Sequence, residues 1–243
     1  MAGARARAGT TAADFTPEEI AKAALEIMAS EGPEAVSFRR IGDALGTNHV
    51  MIFRRCGSFD GLLNLCADFV AADFPEIDET LDWQAATQLR FEAAFDMWTT
   101  QADLILLMGG RAWLGENMLS RFYEPGMRAL VDSGMSPLEA GRLFSTLYRM
   151  TIGSAISTRP DQWTPWASKE NIERLGSQRF PTLARVEREI DTSDMRAVYY
   201  QTLQRLITHL APGEQKTRVS DGPTAEALLN KSLIRACPPG RPI

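Results

Sequence analysis

Three cysteines in 243 residues, Cys56, Cys66 and Cys237, are too few and too scattered for a disulfide framework or a paired-cysteine metal site. Histidine is scarcer still. His49 and His209 stand far apart with no ligand residues at metal-binding spacing, which argues against zinc. No apolar run approaches the roughly eighteen residues of a membrane span. The longest, 104–108, is cut by Gly109, Gly110 and Arg111. The first residues carry Arg5 and Arg7 with no apolar stretch behind them, unlike a secretory signal. These absences place the chain in the cytoplasm and off the membrane. Catalytic signatures are missing too: there is no GxSxG, no P-loop, no GxGxxG after a strand and no HExxH. Glu-x-x-His pairs of a di-iron bundle are also lacking. No cofactor is implied, and recognition rather than catalysis is the expected chemistry.

Hydrophobic residues make up 44% and charged residues 23%, ordinary values for a globular protein with a substantial core. The net charge is −5, and within residues 1–70 seven basic residues face nine acidic ones. The distribution says more than the sum. Between Asp43 and Asp60 there is no acid, and Arg54 and Arg55 lie inside that window.

Helical signals run the length of the chain. Thr16-Pro17-Glu18-Glu19 combines a capping residue, a first-turn proline and a capping-box glutamate. Ile20, Ala23, Ala24, Ile27 and Met28 then line one face, until Gly32-Pro33 ends the helix. Ser37 opens a second helix with Phe38, Ile41 and Leu45 on one side, stopped by Gly46. Asn48 caps a third, which carries Val50 and Phe53. Two short helices around a tight glycine turn, with Gly42 and Ala44 small enough for a close crossing, read as a helix-turn-helix. A fourth helix begins near Ser58, and 73–80 reads as a connection. Further helices are predicted over about 81–99, 102–114, 118–131, 137–158, 168–177 and 192–210, that at 102–114 buried on most sides. The 137–158 helix opens on a second capping box, Ser136-Pro137-Leu138-Glu139. The fold class is therefore all-α. Residues 14–73 form a three-helix helix-turn-helix domain, residues 80–211 a larger helical domain, and 212–243 a weakly ordered tail with a possible helix near 224–236.

The string from Val36 to Leu63, VSFRRIGDALGTNHVMIFRRCGSFDGLL, resembles the DNA-binding segment of the tetracycline-repressor (TetR) family. Ser37, Arg39, Ile41, Gly42, Leu45 and Gly46 match the first half of the family pattern. Ile52 to Cys56, Ser58, Leu62 and Leu63 match the second half without insertion or deletion. The resemblance covers about residues 14–70. It departs from the pattern at three places: Phe53 stands for the usual tyrosine, Arg55 for the usual histidine and Phe59 for the usual lysine. The first and third remove phosphate-binding groups; the second adds a charge.

The resemblance implies a homodimeric transcriptional regulator, a repressor released from a near-palindromic duplex DNA operator by a small-molecule effector. An α-helix fits the major groove and reads it with its N-terminal residues. Thr47, Asn48, His49 and Met51 are accordingly the base-facing candidates, with Asn48 also a cap and His49 also readable as plain surface. Arg39, Arg54 and Arg55 are candidate phosphate clamps, and Ser37 a cap that doubles as a phosphate donor. Phe53 holds a family contact position, although it and Val50 are expected to pack in the core. Arg5 and Arg7 suit a minor-groove arm or a plain terminus.

In the larger domain the effector candidates are Phe95, Trp98, Met108, Arg111, Trp113, Phe144 and Tyr148, with Phe91 and Phe122 beside them. Each is also readable as core. Arg111, following an apolar run, would hold an anionic or carbonyl-bearing ligand if it faced a cavity. The helices at 137–158 and 192–210 are the expected dimer bundle. The alternative is a helical ligand-binding or protein-interaction module that has lost DNA binding.

Overall fold

The computed structural model describes residues 15–109, 111, 113–158, 169–176, 178–189 and 194–209. Among them every regular element is helical. Helix α1 (Pro17–Glu31) starts on the Thr16–Glu19 capping box, in which the Thr16 hydroxyl accepts the Glu19 N–H and the Glu19 carboxylate accepts the Thr16 N–H. It buries Ile20, Ala21, Ala23, Ala24, Ile27 and Met28. A short 3-10 turn leads to α2 (Phe38–Leu45) and α3 (His49–Cys56). The turn between them is compact because Gly46 sits in the left-handed region at φ 68°. Gly42 lies against it, and a Cβ there would be 2.9 Å from the Thr47 carbonyl and 3.1 Å from the His49 nitrogen. Gly42 alone makes the crossing close. Ala44, the second small residue expected there, points to solvent.

Helix α4 (Phe59–Ala71) packs on α1 and α3 and reaches α6. It buries Leu62, Leu63, Cys66, Ala67 and Ala71. Helix α5 (Trp83–Thr100) then runs against α7, α8 and α11. Helix α6 (Ala102–Met108) ends sooner than the apolar run 102–114 suggests. Gly109 adopts φ 59° and turns the chain, leaving Leu106 exposed and Leu114 63% exposed. The expected helix over 118–131 is regular only in its second half. A π-helical stretch over Met118–Tyr123 leads into α7 (Glu124–Asp132).

Helix α8 (Pro137–Ser157) begins on the second capping box, closed by Ser136 and Glu139. After α9 (Lys169–Leu175) comes α10 (Pro181–Glu189), which the sequence reading missed because no residue of it is buried. Helix α11 (Met195–His209) closes the described chain. The Arg5/Arg7 arm, the loop near 160–165 and the tail beyond 209 lie outside the described residues.

The core of the larger domain is aromatic. Phe91, Phe95, Trp98, Trp113, Phe122 and Phe144 are all essentially inaccessible. Phe122 sits edge-on to Trp98, Phe91, Phe144 and Phe74, with ring centres 5.2–5.6 Å apart. Each such pair contributes about 0.5–1.5 kcal/mol beyond area burial. Tyr199 fastens α11 by stacking on Phe95 at 4.2 Å. Its hydroxyl donates to the Phe91 carbonyl and shares a 2.7 Å hydrogen bond with Thr151.

Candidate nucleic-acid and effector sites

Helix α3 presents its N-terminal end outward. Asn48 Oδ1 accepts the Val50 N–H at 2.9 Å, so the side chain expected to meet bases is also the cap. Asn48 and His49 are exposed, with Thr47 and Met51 half-buried beside them. Only Ile52 of this helix is buried. Val50, at 40% exposure, and Phe53, at 48%, are therefore surface residues, not the core residues expected. An eight-residue helix with partners on one side has room for little more than one buried position.

Phe53 leans edge-on against Phe38 at 5.5 Å, and Phe59 joins the same ring at 6.3 Å. The two phenylalanines that replace the family's polar residues thus buttress the start of α2, a role not apparent from the motif. Ser37 Oγ accepts the Arg40 N–H and caps α2. Arg40 is held by Glu31 through a bidentate pair. Arg39, Arg54 and Arg55 are exposed, and among the described residues none of them forms an ion pair. Arg54 and Arg55 lie on the last turn of α3 and Arg39 on the first turn of α2.

Two links tie this N-terminal part to the helices behind it, and neither was visible in the sequence. Asp68 on α4 accepts the Asn117 backbone N–H at 2.7 Å and the Asn117 side-chain N–H at 3.2 Å. Its carboxylate thereby sits at the start of the helical stretch 116–132, where backbone N–H groups lack intrahelical partners. Gly115 permits the approach, since a Cβ there would be 2.0 Å from Asp68 Oδ1. The second link is Arg111, whose Nη1 meets Asp60 of α4 at 2.5 Å while Nε donates to the Met108 carbonyl at 2.7 Å. Arg111 does not face the aromatic interior as its ligand-binding reading required. It caps the end of α6 from outside.

Of the remaining effector candidates, Trp98, Trp113, Tyr148 and Phe144 are brought together: Trp98 packs on Trp113 and on Tyr148, Tyr148 on Tyr123 and Tyr123 on Phe144, while Phe95 and Met108 are buried. Trp98 Nε1 and Trp113 Nε1 are buried, and among the described residues neither has a hydrogen-bond partner, while the buried hydroxyls of Tyr123 and Tyr148 face each other. Burial pushes both phenols up from their ordinary range, so they stay protonated and neutral. Unsatisfied buried donors are uncommon, and each costs about 1–3 kcal/mol. The neighbourhood holds apolar rings and unused donors but no charge.

A small helix-turn-helix unit joined to a larger helical domain with an aromatic interior is the architecture of a ligand-responsive DNA-binding regulator. The family model described as tetracyclin repressor-like, C-terminal domain, matches residues 74–211. The chain therefore belongs to the TetR family of transcriptional regulators.

Solved structures agree on the fold. ActR from Streptomyces coelicolor without ligand is 24% identical, with 84% of this chain and 97% of that chain covered at a TM-score of 0.68. ActR in complex with actinorhodin gives 24%, 84%, 99% and 0.69 for the same quantities. A TetR variant from Acinetobacter baumannii in complex with minocycline is 17% identical, covering 84% of this chain and all of that one (100%) at a TM-score of 0.63. No curated protein matches the chain in sequence. Among the described residues no helix is long and apolar enough to cross a membrane.

Proposed function

We propose that the chain is a homodimeric repressor that occludes a near-palindromic operator and is released by a small, neutral, acceptor-bearing effector. Residues 14–73 would grip DNA, residues 80–211 would hold the effector and the dimer interface, and 212–243 would be a tail. The observation that carries the DNA half is the exposed N-terminal end of α3 together with three exposed arginines that form no ion pair among the described residues. Asn48, His49 and Met51 would face base edges. Thr47 would flank them, while Ser37, Arg39, Arg54 and Arg55 would hold phosphates. Phe53 would touch the backbone by its exposed edge.

The effector half rests on the two unpaired indole N–H groups of Trp98 and Trp113 beside the buried Tyr123–Tyr148 pair. A ligand with carbonyl or hydroxyl oxygens would satisfy donors that the protein leaves unpaired. ActR with actinorhodin and TetR with minocycline are relatives in fold whose bound molecules are named, and they are consistent with a multi-ring effector here. Trp113 lies just before the Gly115–Asn117 stretch that Asp68 holds. An effector that displaces Trp113 would move that stretch, shift α4 and change the spacing of the two recognition helices from the roughly 34–36 Å of successive major grooves. Helices α8 and α11 would form the dimer bundle. Leu138 and Val198 are exposed apolar residues on these helices. The protein would act in the cytoplasm and without enzymatic activity. No observation favours the alternative of a module that has lost DNA binding.

The test is titration of the full chain with duplexes from its own upstream region, read by footprinting and by light scattering. The proposal requires a protected near-palindrome, an even number of chains per duplex, and loss of protection in Arg54→Ala/Arg55→Ala. A folded protein that protects no duplex would overturn it.

A further inference from the structure

Arg90 of α5 is only 4% exposed, yet among the described residues no carboxylate forms an ion pair with it. Its Nη1 donates to the Arg121 carbonyl at 2.6 Å, while its Nε has no partner. Burying a guanidinium without a counter-charge is costly, and such cations are ordinarily paired or bound to an anion. The site is shaped to hold it there all the same. Gly126 of α7 faces the Arg90 stem so closely that a Cβ would be 2.9 Å from Cδ and 3.3 Å from Nε. Burial drives the Arg90 pKa down to about 10, and Arg128 adds to the effect, but the group stays charged at neutral pH.

Arg90 also lines two adjoining cavities, of about 480 and 770 Å³, between the 75–82 connection, α5 and α7. The walls of the smaller one include Leu81, Trp83, Ala86 and Ala129. Three of the four acidic residues lining it are already engaged. Asp78 accepts from Thr80, Asp82 caps α5 through the Ala85 N–H, and Glu79 pairs with Arg128 at 3.1 Å. None of them forms an ion pair with Arg90, although Glu79 favours its charge from a distance, and together with Asp132 they make the cleft unfavourable for a multiply charged anion such as phosphate. From the buried guanidinium without an ion-pair partner and the mixed cleft it opens on, whose apolar wall is Leu81, Trp83, Ala86 and Ala129, we infer a second ligand site for an apolar-bodied monocarboxylate. The carboxylate would sit on Arg90 and the body against Trp83 and Ala129. This site is separate from the aromatic interior and does not depend on the effector reading.

The experiment uses the full chain, free of DNA, with octanoate as probe and octan-1-ol and inorganic phosphate as controls. Calorimetry and thermal melting are measured on wild type, Arg90→Met and Ala129→Trp. We expect octanoate, and neither control, to bind wild type and raise its Tm in a dose-dependent way. Arg90→Met and Ala129→Trp should each weaken octanoate at least tenfold while keeping the wild-type circular dichroism. If Arg90→Met does not fold, Arg90→Gln and Ala129→Trp carry the comparison. Absence of octanoate binding up to millimolar concentration would overturn the inference. So would equal binding of octanoate and octan-1-ol, or undiminished octanoate binding in the folded variants.

Discussion

Replacing Asp68 tests how the DNA-binding part is held. The Asp68 carboxylate accepts two hydrogen bonds from Asn117, at 2.7 and 3.2 Å, in a part-buried position. Hydrogen bonds to a charged group contribute about 1.5–3 kcal/mol, and a carboxylate at a helix N-terminus about 0.3–1 kcal/mol. These terms overlap, so Asp68→Ala should cost about 2–3 kcal/mol. For a chain of this size that lowers Tm by about 4–12 °C. Asp68→Asn keeps an acceptor but loses the charge, and should cost about 1 kcal/mol. Gly115→Ala should resemble Asp68→Ala, because its methyl would occupy the space of the carboxylate.

The assay is a melting series on the three variants, joined to hydrogen exchange at Asn117 and along α4. A loss of 2 kcal/mol corresponds to about a thirtyfold faster opening of the protected amides. The effect should centre on α4 and the 115–118 stretch and leave α8 and α11 near wild type. Wild-type melting and exchange in Asp68→Ala would refute the reasoning, as would a loss spread evenly over the chain.

Three further outcomes are expected. Gly42→Ala should destabilise the helix-turn-helix by about 1–3 kcal/mol, because the new methyl meets backbone atoms of Thr47 and His49 that have no rotamer to yield; thermal melting checks this. Burial pushes the Cys66 thiol up to about 12 from an ordinary 9.0. The folded state therefore retains the proton that the unfolded chain releases above about pH 9. Cys66 should contribute no pH dependence below that point and should add to the fall in stability between about pH 9 and 12, so that the fall is shallower in Cys66→Ala. With Cys56 and Cys237 replaced by serine, a thiol reagent at pH 8 should label Cys66 only after denaturation. Arg111→Ala should cost less than about 1 kcal/mol by melting, since its pair with Asp60 is half-exposed.

What the sequence disclosed was local. The capping boxes at Thr16 and Ser136, the caps at Ser37 and Asn48 and the turn at Gly46 depend on residues within four positions of one another, and each stands where its spacing put it. The motif from Val36 to Leu63 carried the family for the same reason. The surface status of Val50 and Phe53 was hidden, because a helix of two turns shows too little periodicity to separate a buried face from an exposed one. Arg111 invited a ligand reading through its apolar neighbours, but Gly109 reverses the chain and sends the guanidinium back to Asp60. Asp68 and Asn117 are 49 positions apart, Arg90 and Gly126 are 36 apart, and all four are ordinary in type, so only tertiary packing reveals them.

The measurement that bears most directly on the central claim is fluorescence-anisotropy binding to duplexes from the protein's own upstream region at several salt concentrations. The account predicts tight binding to one short near-palindrome, with much weaker binding to its scrambled form and a steep fall with salt. Each lost phosphate contact lowers the logarithmic slope by about 0.9, so Arg54→Ala/Arg55→Ala should flatten it by about 2 per chain. A folded protein that binds no duplex at low salt, or whose salt slope is unchanged without those arginines, would contradict it.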